Sequence, residues 1–128
     1  MSEKKLLIDS NIIIYHLNKN SVIEDFLIKN IDRCAISRLT YIEVLSFDFE
    51  SNSEYEVAQE LLNLFEVFDT DDKISYQAIK NRKVKKIKLP DNIIASTAQV
   101  YNSILVTRNV KDFNNLDLEV LNPFDESK

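Results

Sequence analysis

The sequence has 128 residues, the usual size of one compact domain, and 45% are hydrophobic and 29% charged, so the chain can bury a core. Its single cysteine excludes an internal disulfide, and one cysteine with one histidine cannot build a zinc cage, so any metal would need oxygen ligands. A net charge of −5 weakens the case for a nucleic-acid partner without excluding it, because carboxylates gathered around a metal would account for most of that charge.

The charged N-terminal residues lack the pattern of a signal peptide, so we expect none, and no apolar run approaches the roughly 20 residues that span a bilayer. We therefore expect a cytoplasmic protein that does not contact a membrane.

Short apolar runs alternate with amphipathic segments along the whole chain. The apolar runs predict strands at residues 5–8, 34–36, 66–68, 104–106 and 118–121. The segments between them predict helices at residues 11–17, 22–31, 39–47, 53–64, 71–82 and 90–101. The strands lack polar alternation, which is typical of a parallel sheet covered on both faces. We expect an α/β three-layer fold with a central, mostly parallel sheet of four to five strands and helices on both faces.

Local signals mark several element ends. Ser53 and Glu56 fit a capping box that begins the fourth helix, and Pro90 suits the first position of the sixth. Asn102 follows that helix where a left-handed residue is expected. Glycine is absent and no repeat divides the chain, so we expect a single domain over residues 1–122 and a short C-terminal tail over 123–128.

Four acidic residues stand out by their positions. Asp9 directly follows the first strand, at the edge where open α/β sheets bind ligands, although it could simply cap the next helix. Glu43 lies about 40° from Leu39 on a helix whose buried stripe we expect to include Leu39, Ile42 and Leu45. A carboxylate beside a core favours a partner or a metal, although Glu43 could bend out to water.

The other two acids have equally ordinary readings when each is taken alone. Asp91 stands in the first turn of a helix, where it would stabilise the helix dipole, and Asp112 follows the fourth strand in a loop. Taken together, the four acids predict one cluster. His16 and Cys34 are expected to be structural.

Four sequence blocks carry a family resemblance. They are Leu7-Ile8-Asp9-Ser10-Asn11, then Ser37, Thr40 and Glu43 at three-residue spacing, then Lys88-Leu89-Pro90-Asp91-Asn92, then Leu105-Val106-Thr107-Arg108-Asn109 with Asp112-Phe113. In this order, over about residues 5–121, they resemble the PIN-domain family, and within it the toxin ribonucleases of VapBC-type toxin–antitoxin pairs. Asn92 departs from the small residue usual after the third acid, and Asn102 from the glycine common before the fourth strand.

The resemblance implies hydrolysis of RNA phosphodiester bonds with Mg²⁺ or Mn²⁺. Asp9 and Asp91 would be direct ligands, and Glu43 and Asp112 would act through water, hold a second ion or orient the attacking water; Asn109 or Asp117 could share the role of Asp112. Further residues would support the ligands or contact the substrate: Ser10, Asn11, Thr107, Asn109, Arg108, Arg38, Arg82 and Lys85. The basic stretch 82–88 is either a rail for RNA or a solvated helix end.

The resemblance also implies a homodimer and a VapB-type antitoxin, for which Phe47, Phe49, Tyr55 and Leu62 are candidate contacts. Two alternatives share the fold: a stand-alone RNA-processing nuclease and an inactive binding module. A phosphatase with Asp9 as nucleophile is disfavoured, because such enzymes usually carry a second aspartate where this chain has Asn11.

Overall fold

A five-stranded, fully parallel sheet forms the centre of the computed structural model, which describes residues 3–125. Its strands are β1 (Leu6–Ile8), β2 (Cys34–Ser37), β3 (Glu66–Phe68), β4 (Ile104–Val106) and β5 (Val120–Leu121). They lie in the order β3-β2-β1-β4-β5, and each neighbouring pair is parallel. The predicted α/β fold is thereby confirmed.

In the described part of the chain, six α-helices connect the strands. They are α1 (Ser10–Leu17), α2 (Ser21–Asn30), α3 (Arg38–Leu45), α4 (Asn52–Leu62), α5 (Asp72–Val84) and α6 (Leu89–Val100), with 3₁₀ turns at Ile31–Arg33 and Val110–Phe113. Within residues 3–125, none of the helices is both long and apolar enough to cross a membrane.

The two faces of the sheet carry separate apolar cores. Leu6 and Ile8 of β1 point to one face, where residues of α1 to α4 cover them, and Leu7 points to the other, where α6 covers it. This alternation follows from the two-residue period of a strand, and it explains why every residue of β1 is apolar. The helix α5 packs on α6 and is joined to it by buried hydrogen bonds.

Two details of the helices differ from the predictions. The N-cap of α4 is Ser51, whose side chain accepts a hydrogen bond of 3.2 Å from the N–H of Glu54, and not Ser53. The same Ser-x-x-Glu pattern occurs two residues earlier, so the prediction chose the wrong copy. On α3 the buried residues are Thr40 and Val44, whereas Ile42 is 52% exposed. The predicted apolar stripe is wrong at Ile42, whereas Leu39 and Leu45 pack against the cores as predicted. Thr40 is buried because it is hydrogen-bonded to Ser37.

Other local predictions are confirmed. Asn102 has φ of 49°, the left-handed conformation expected after α6. Cys34 is buried in β2. Phe124, by contrast, lies in the segment predicted as a tail, but it packs against the core and edge-to-face on Tyr15, at 5.0 Å between ring centroids. The tail's residues 126–128 lie outside the described residues.

Candidate active site

Asp9 lies where the strand order of the sheet reverses. It follows β1, which separates β2 from β4, and the chain continues from β1 to β2 on one side and places β4 on the other. Crevices at such points are the usual ligand sites of open parallel sheets. Asp9 also caps α1, because its Oδ1 accepts a 2.7 Å hydrogen bond from the N–H of Ser10. The helix cap considered for this residue is therefore present, and Asp9 also lies at the sheet edge where the site is predicted.

The second oxygen of Asp9 is held by two side chains. Its Oδ2 accepts hydrogen bonds from Thr107 Oγ1 at 2.8 Å and from Asn11 Nδ2 at 3.3 Å. Asn11 Nδ2 also approaches Thr107 Oγ1 at 3.2 Å, and the backbone N–H of Asn109 donates to that hydroxyl at 3.1 Å. Asn109 thus contributes its backbone to this group.

Burial raises the pKa of Asp9 to about 6, from an ordinary value of 3.8. The hydrogen bonds from Thr107 and Ser10 oppose this rise, and repulsion from Asp91 and Glu43 adds to it. Only 6% of the residue is exposed, so the ionised carboxylate is poorly solvated. A cation bound there would stabilise the charged form.

Glu43 reaches this group from α3. Its Oε1 accepts a 2.5 Å hydrogen bond from Ser10 Oγ, and that hydroxyl also lies 3.3 Å from Thr40 Oγ1. Thr40 is in turn bonded to Ser37, the last residue of β2. Glu43 itself is exposed, so these hydroxyls hold the carboxylate at the rim of the crevice and not beside the core.

Asp91 lies in the first turn of α6 and is partly buried. Burial raises its pKa, repulsion from Asp112 and Glu43 raises it further, and Lys88 and Lys85 oppose the rise. Asp91 and Asp112 line an open pocket of about 200 Å³ whose other walls are basic apart from one isoleucine: Lys85, Lys86, Ile87, Lys88 and Lys111. Electrostatic repulsion therefore connects Asp9, Glu43, Asp91 and Asp112 in one group.

The arrangement of the acids sets a limit on metal binding. Within residues 3–125, no group of three or more His, Cys, Asp or Glu side chains converges closely enough to hold a metal by itself. His16 forms no hydrogen bond with the acids, and its buried Nδ1 has no partner in that part of the chain.

The four basic residues predicted to contact the substrate have different surroundings. Arg38 Nε donates to Asp69 Oδ1 at 2.6 Å, and Arg82 Nη1 donates to the carbonyl of Ile87 at 3.0 Å. Lys85 Nζ donates to Asn114 Oδ1 at 2.7 Å and to two loop carbonyls, so it ties the end of α5 to the segment after β4. Arg108 stacks on two aromatic rings.

The 82–88 stretch also borders a larger groove of about 870 Å³ between α5 and α6. Its lining is apolar and basic apart from one asparagine, and it offers no carboxylate to a cation: Ala78, Ile79, Arg82, Lys83, Lys86, Ile87, Lys88, Leu89 and Asn92.

Several residues beside the site were not identified from the sequence. Asp69, Tyr15 and Phe124 contact the predicted arginines, and no local pattern in the sequence indicated these pairings. Asn92 is 3% exposed; its Nδ2 donates to the carbonyl of Ala78 at 2.8 Å and its Oδ1 accepts from Asn81 at 3.1 Å. The unusual residue beside Asp91 therefore joins α6 to α5.

Comparisons with known proteins support one family. The PIN domain profile matches residues 6–118. No curated protein sequence matches significantly. A toxin–antitoxin complex from Klebsiella pneumoniae contains a chain with 29% identity and a TM-score of 0.82, covering 93% of this chain and 98% of that one.

Two further structures share the fold at lower identity. A DNA-bound VapBC from Salmonella typhimurium has 21% identity and a TM-score of 0.84, and FitAcB from Neisseria gonorrhoeae has 22% and 0.82. Each alignment covers 94% of this chain and 99% of the other.

Proposed function

Because this chain belongs to the PIN-domain family, we propose that it is a metal-dependent endoribonuclease and the toxin of a type II toxin–antitoxin pair. The observation that carries the nuclease proposal is the state of Asp9, a buried carboxylate at the reversal point of the sheet with a pKa of about 6. Burial and the neighbouring acids both destabilise the ionised form of this carboxylate, so a bound divalent cation would stabilise it strongly.

The residues present fit Mg²⁺ or Mn²⁺. All four candidate ligands are carboxylates, which hard cations prefer, and Mg²⁺ is usually held by one or two carboxylates with water completing its shell. An ion on Asp9 and Asp91, with Glu43 and Asp112 acting through water, is compatible with the absence of a three-ligand group in residues 3–125.

A bound ion of this kind polarises a phosphoryl group and activates water. The side chains around it would have separate tasks. Ser10, Asn11 and Thr107 hold both oxygens of Asp9, so the carboxylate keeps one orientation. Ser10 also holds Glu43, which is free on its solvent side to orient a water molecule. Lys85 and Lys88 offset the negative field at Asp91, where an RNA phosphate must approach.

The toxin proposal rests on the similarity to chains from toxin–antitoxin complexes over almost the whole length of this chain. We propose a VapB-type antitoxin as partner and a homodimer as the assembly. The exposed Phe47 contacts Phe49, which contacts Tyr55, with edge-to-face rings at 5.3 and 6.0 Å, and this aromatic patch suits an antitoxin's apolar side chains. Leu62 is excluded from it, since that side chain is only 1% exposed.

Cleavage of a mixed single-stranded RNA pool by the purified chain tests the nuclease proposal. We expect cleavage with Mg²⁺ or Mn²⁺, none with a chelator, and none from Asp9→Asn or Asp91→Asn. Asp117, considered from the sequence as a substitute for Asp112, lies beside Lys4 and Ser103 at the amino edge of the sheet, opposite the four acids. Asp117→Asn is therefore the control and should cleave normally. Cleavage that persists with the chelator or in Asp9→Asn would show that the proposed site is wrong.

Co-expression tests the toxin proposal separately. Induced expression should arrest growth of the host cell, and the small protein encoded beside this chain should relieve the arrest and co-purify with it. An active nuclease without such a neighbour would instead be a stand-alone RNA-processing enzyme. An inactive wild-type chain that binds the neighbour would be a binding module.

A further inference from the structure

Two arginines follow strands at the carboxyl edge of the sheet, and only one of them has an acidic partner among the described residues. Arg38 follows β2 and is paired with Asp69 at 2.6 Å, which neutralises it locally. Arg108 follows β4 by two residues, and within residues 3–125 no carboxylate forms a salt bridge with it. In a chain with a net charge of −5, an arginine without an acidic partner beside an acidic site suggests an external anion.

Arg108 is held in place by aromatic contacts. Its guanidinium carbon lies 5.4 Å from the centre of the Tyr15 ring and 4.9 Å from that of Phe124. Its Nη1 donates a hydrogen bond of 2.7 Å to Tyr15 Oη. Stacking of this kind fixes the plane of the guanidinium, so less side-chain entropy is lost when its other N–H groups bind an anion.

The backbone of Arg108 is joined to the residues that hold Asp9. The N–H of Arg108 donates to Asn11 Oδ1 at 3.4 Å, and Asn11 is a hydrogen-bond donor to Asp9. The preceding residue, Thr107, also bonds Asp9. Arg108 therefore flanks the Asp9 side of the acidic group, whereas Lys85 and Lys88 flank the Asp91 side.

We propose that Arg108 binds a backbone phosphate of the RNA substrate on the Asp9 side of the site, and that Tyr15 and Phe124 are positioning residues for it. The inference rests on the proposed ribonuclease function. A planar guanidinium can give two parallel hydrogen bonds to a phosphate, which a lysine cannot. The segment after β5 thus contributes to substrate binding through Phe124.

Binding of a short fluorescent single-stranded RNA, with Ca²⁺ replacing Mg²⁺ to prevent cleavage, tests the inference in the full chain. We expect Arg108→Ala to weaken binding about tenfold, a loss of about 1.4 kcal/mol. The slope of log affinity against log salt should fall by about 0.7, the contribution of one phosphate contact on a single strand. Arg33→Ala, the matched control, removes the same charge at the opposite, amino edge of the sheet, where Arg33 bonds the carbonyl of Lys4, and should leave both quantities unchanged.

Three further variants separate charge from positioning. Arg108→Lys should keep the salt slope, because the charge remains, but it should bind RNA more weakly. Phe124→Leu keeps apolar packing but removes the ring, and it should have the same effect. Arg108→Gln retains a donor for Tyr15, and it replaces Arg108→Ala if that variant proves unstable in thermal unfolding. Its salt slope should fall in the same way.

The outcomes are distinct. A wild-type chain that neither binds nor cuts RNA overturns the proposed function and this inference together. A wild-type chain that cuts RNA while the Arg108 variants bind as tightly with an unchanged salt slope overturns only the inference. Equal losses in Arg108→Ala and Arg33→Ala also overturn it, since both would then reflect general surface charge.

Discussion

Thr107 Oγ1 donates a hydrogen bond of 2.8 Å to Oδ2 of Asp9 and so joins the end of β4 to the end of β1. The two residues are 98 positions apart, and the contact exists only because β1 and β4 are neighbours. The bond lowers the pKa of Asp9 and so partly offsets the effect of burial. Thr107 is itself fully buried, so this donor is not exchanged for water.

Replacing Thr107 should change the titration of Asp9. In Thr107→Val the hydroxyl is lost, and the pKa of Asp9 should rise above its value of about 6. Thr107→Ser keeps the hydroxyl and should stay close to the wild type. Carboxyl ¹³C chemical shifts followed against pH in the metal-free protein measure this. Equal titrations in the valine and serine variants would contradict the assigned role of the hydroxyl.

Asp9→Asn should alter the pH dependence of stability. The native pKa of about 6 lies above the ordinary 3.8, so the native state binds more protons than the unfolded chain between these values. Stability from this group is therefore present below about pH 4 and lost as pH rises to about 6. Near about pH 7 and without metal, Asp9→Asn should therefore be more stable than the wild type, because it has no buried charge. The expected gain is about 1–2 kcal/mol, since the amide forms weaker hydrogen bonds than the carboxylate with Thr107 and Ser10.

Urea unfolding at the two pH values, with and without Mg²⁺, checks this prediction. At about pH 4 the advantage of Asp9→Asn should vanish. Added Mg²⁺ should raise the free energy of unfolding of the wild type, because an ion that binds only the native state stabilises that state. It should not stabilise the variant, which lacks the Asp9 carboxylate. A wild type insensitive to Mg²⁺ would count against a metal at Asp9.

Asn92→Ala should destabilise the packing of α6 on α5. Asn92 Nδ2 donates to the carbonyl of Ala78, and its Oδ1 accepts from Asn81 and Ser96, all in a buried setting. Removing the amide leaves buried polar groups without a partner, which should cost about 2–3 kcal/mol in urea unfolding. Asn114→Ala, at an exposed position, should cost less than about 0.5 kcal/mol. Similar losses in both variants would show that the buried network contributes little.

Phe47→Ala and Leu62→Ala should separate partner binding from folding. Phe47 is 55% exposed, so its truncation should leave the free energy of unfolding unchanged but weaken binding of the antitoxin encoded beside this chain. Leu62 is 1% exposed, and its truncation should cost about 2–4 kcal/mol of stability. Calorimetric titration with the antitoxin and urea unfolding measure the two effects. Unchanged antitoxin binding in Phe47→Ala would move the partner's site elsewhere.

Secondary structure was predictable where the signal is local. The apolar runs at β1 and β4 have no polar alternation because helices cover both faces, and this is visible in the residues alone. The left-handed Asn102 was predictable because few residue types follow a helix in that conformation. The burial of Thr40 on α3 was not predictable, since it depends on hydrogen bonds with Ser37 and not on hydrophobicity.

The positions of the acids could be anticipated one by one, from strand ends and motifs. Their relations to one another depend on the strand order, which local periodicity does not encode. The exposure of Glu43, the pKa of Asp9 and the repulsion between Asp91 and Asp112 all follow from that order and from burial.

By itself, the sequence determined the alternation of strands and helices and the residues able to carry oxygen-ligand chemistry, because period and residue type act over a few neighbouring positions. Only the tertiary structure decided which arginine is neutralised by Asp69 and which is braced by Tyr15 and Phe124. Such pairings join residues far apart in the chain. The free energy of a charge depends on what surrounds it in space, and that is set only when the sheet is assembled.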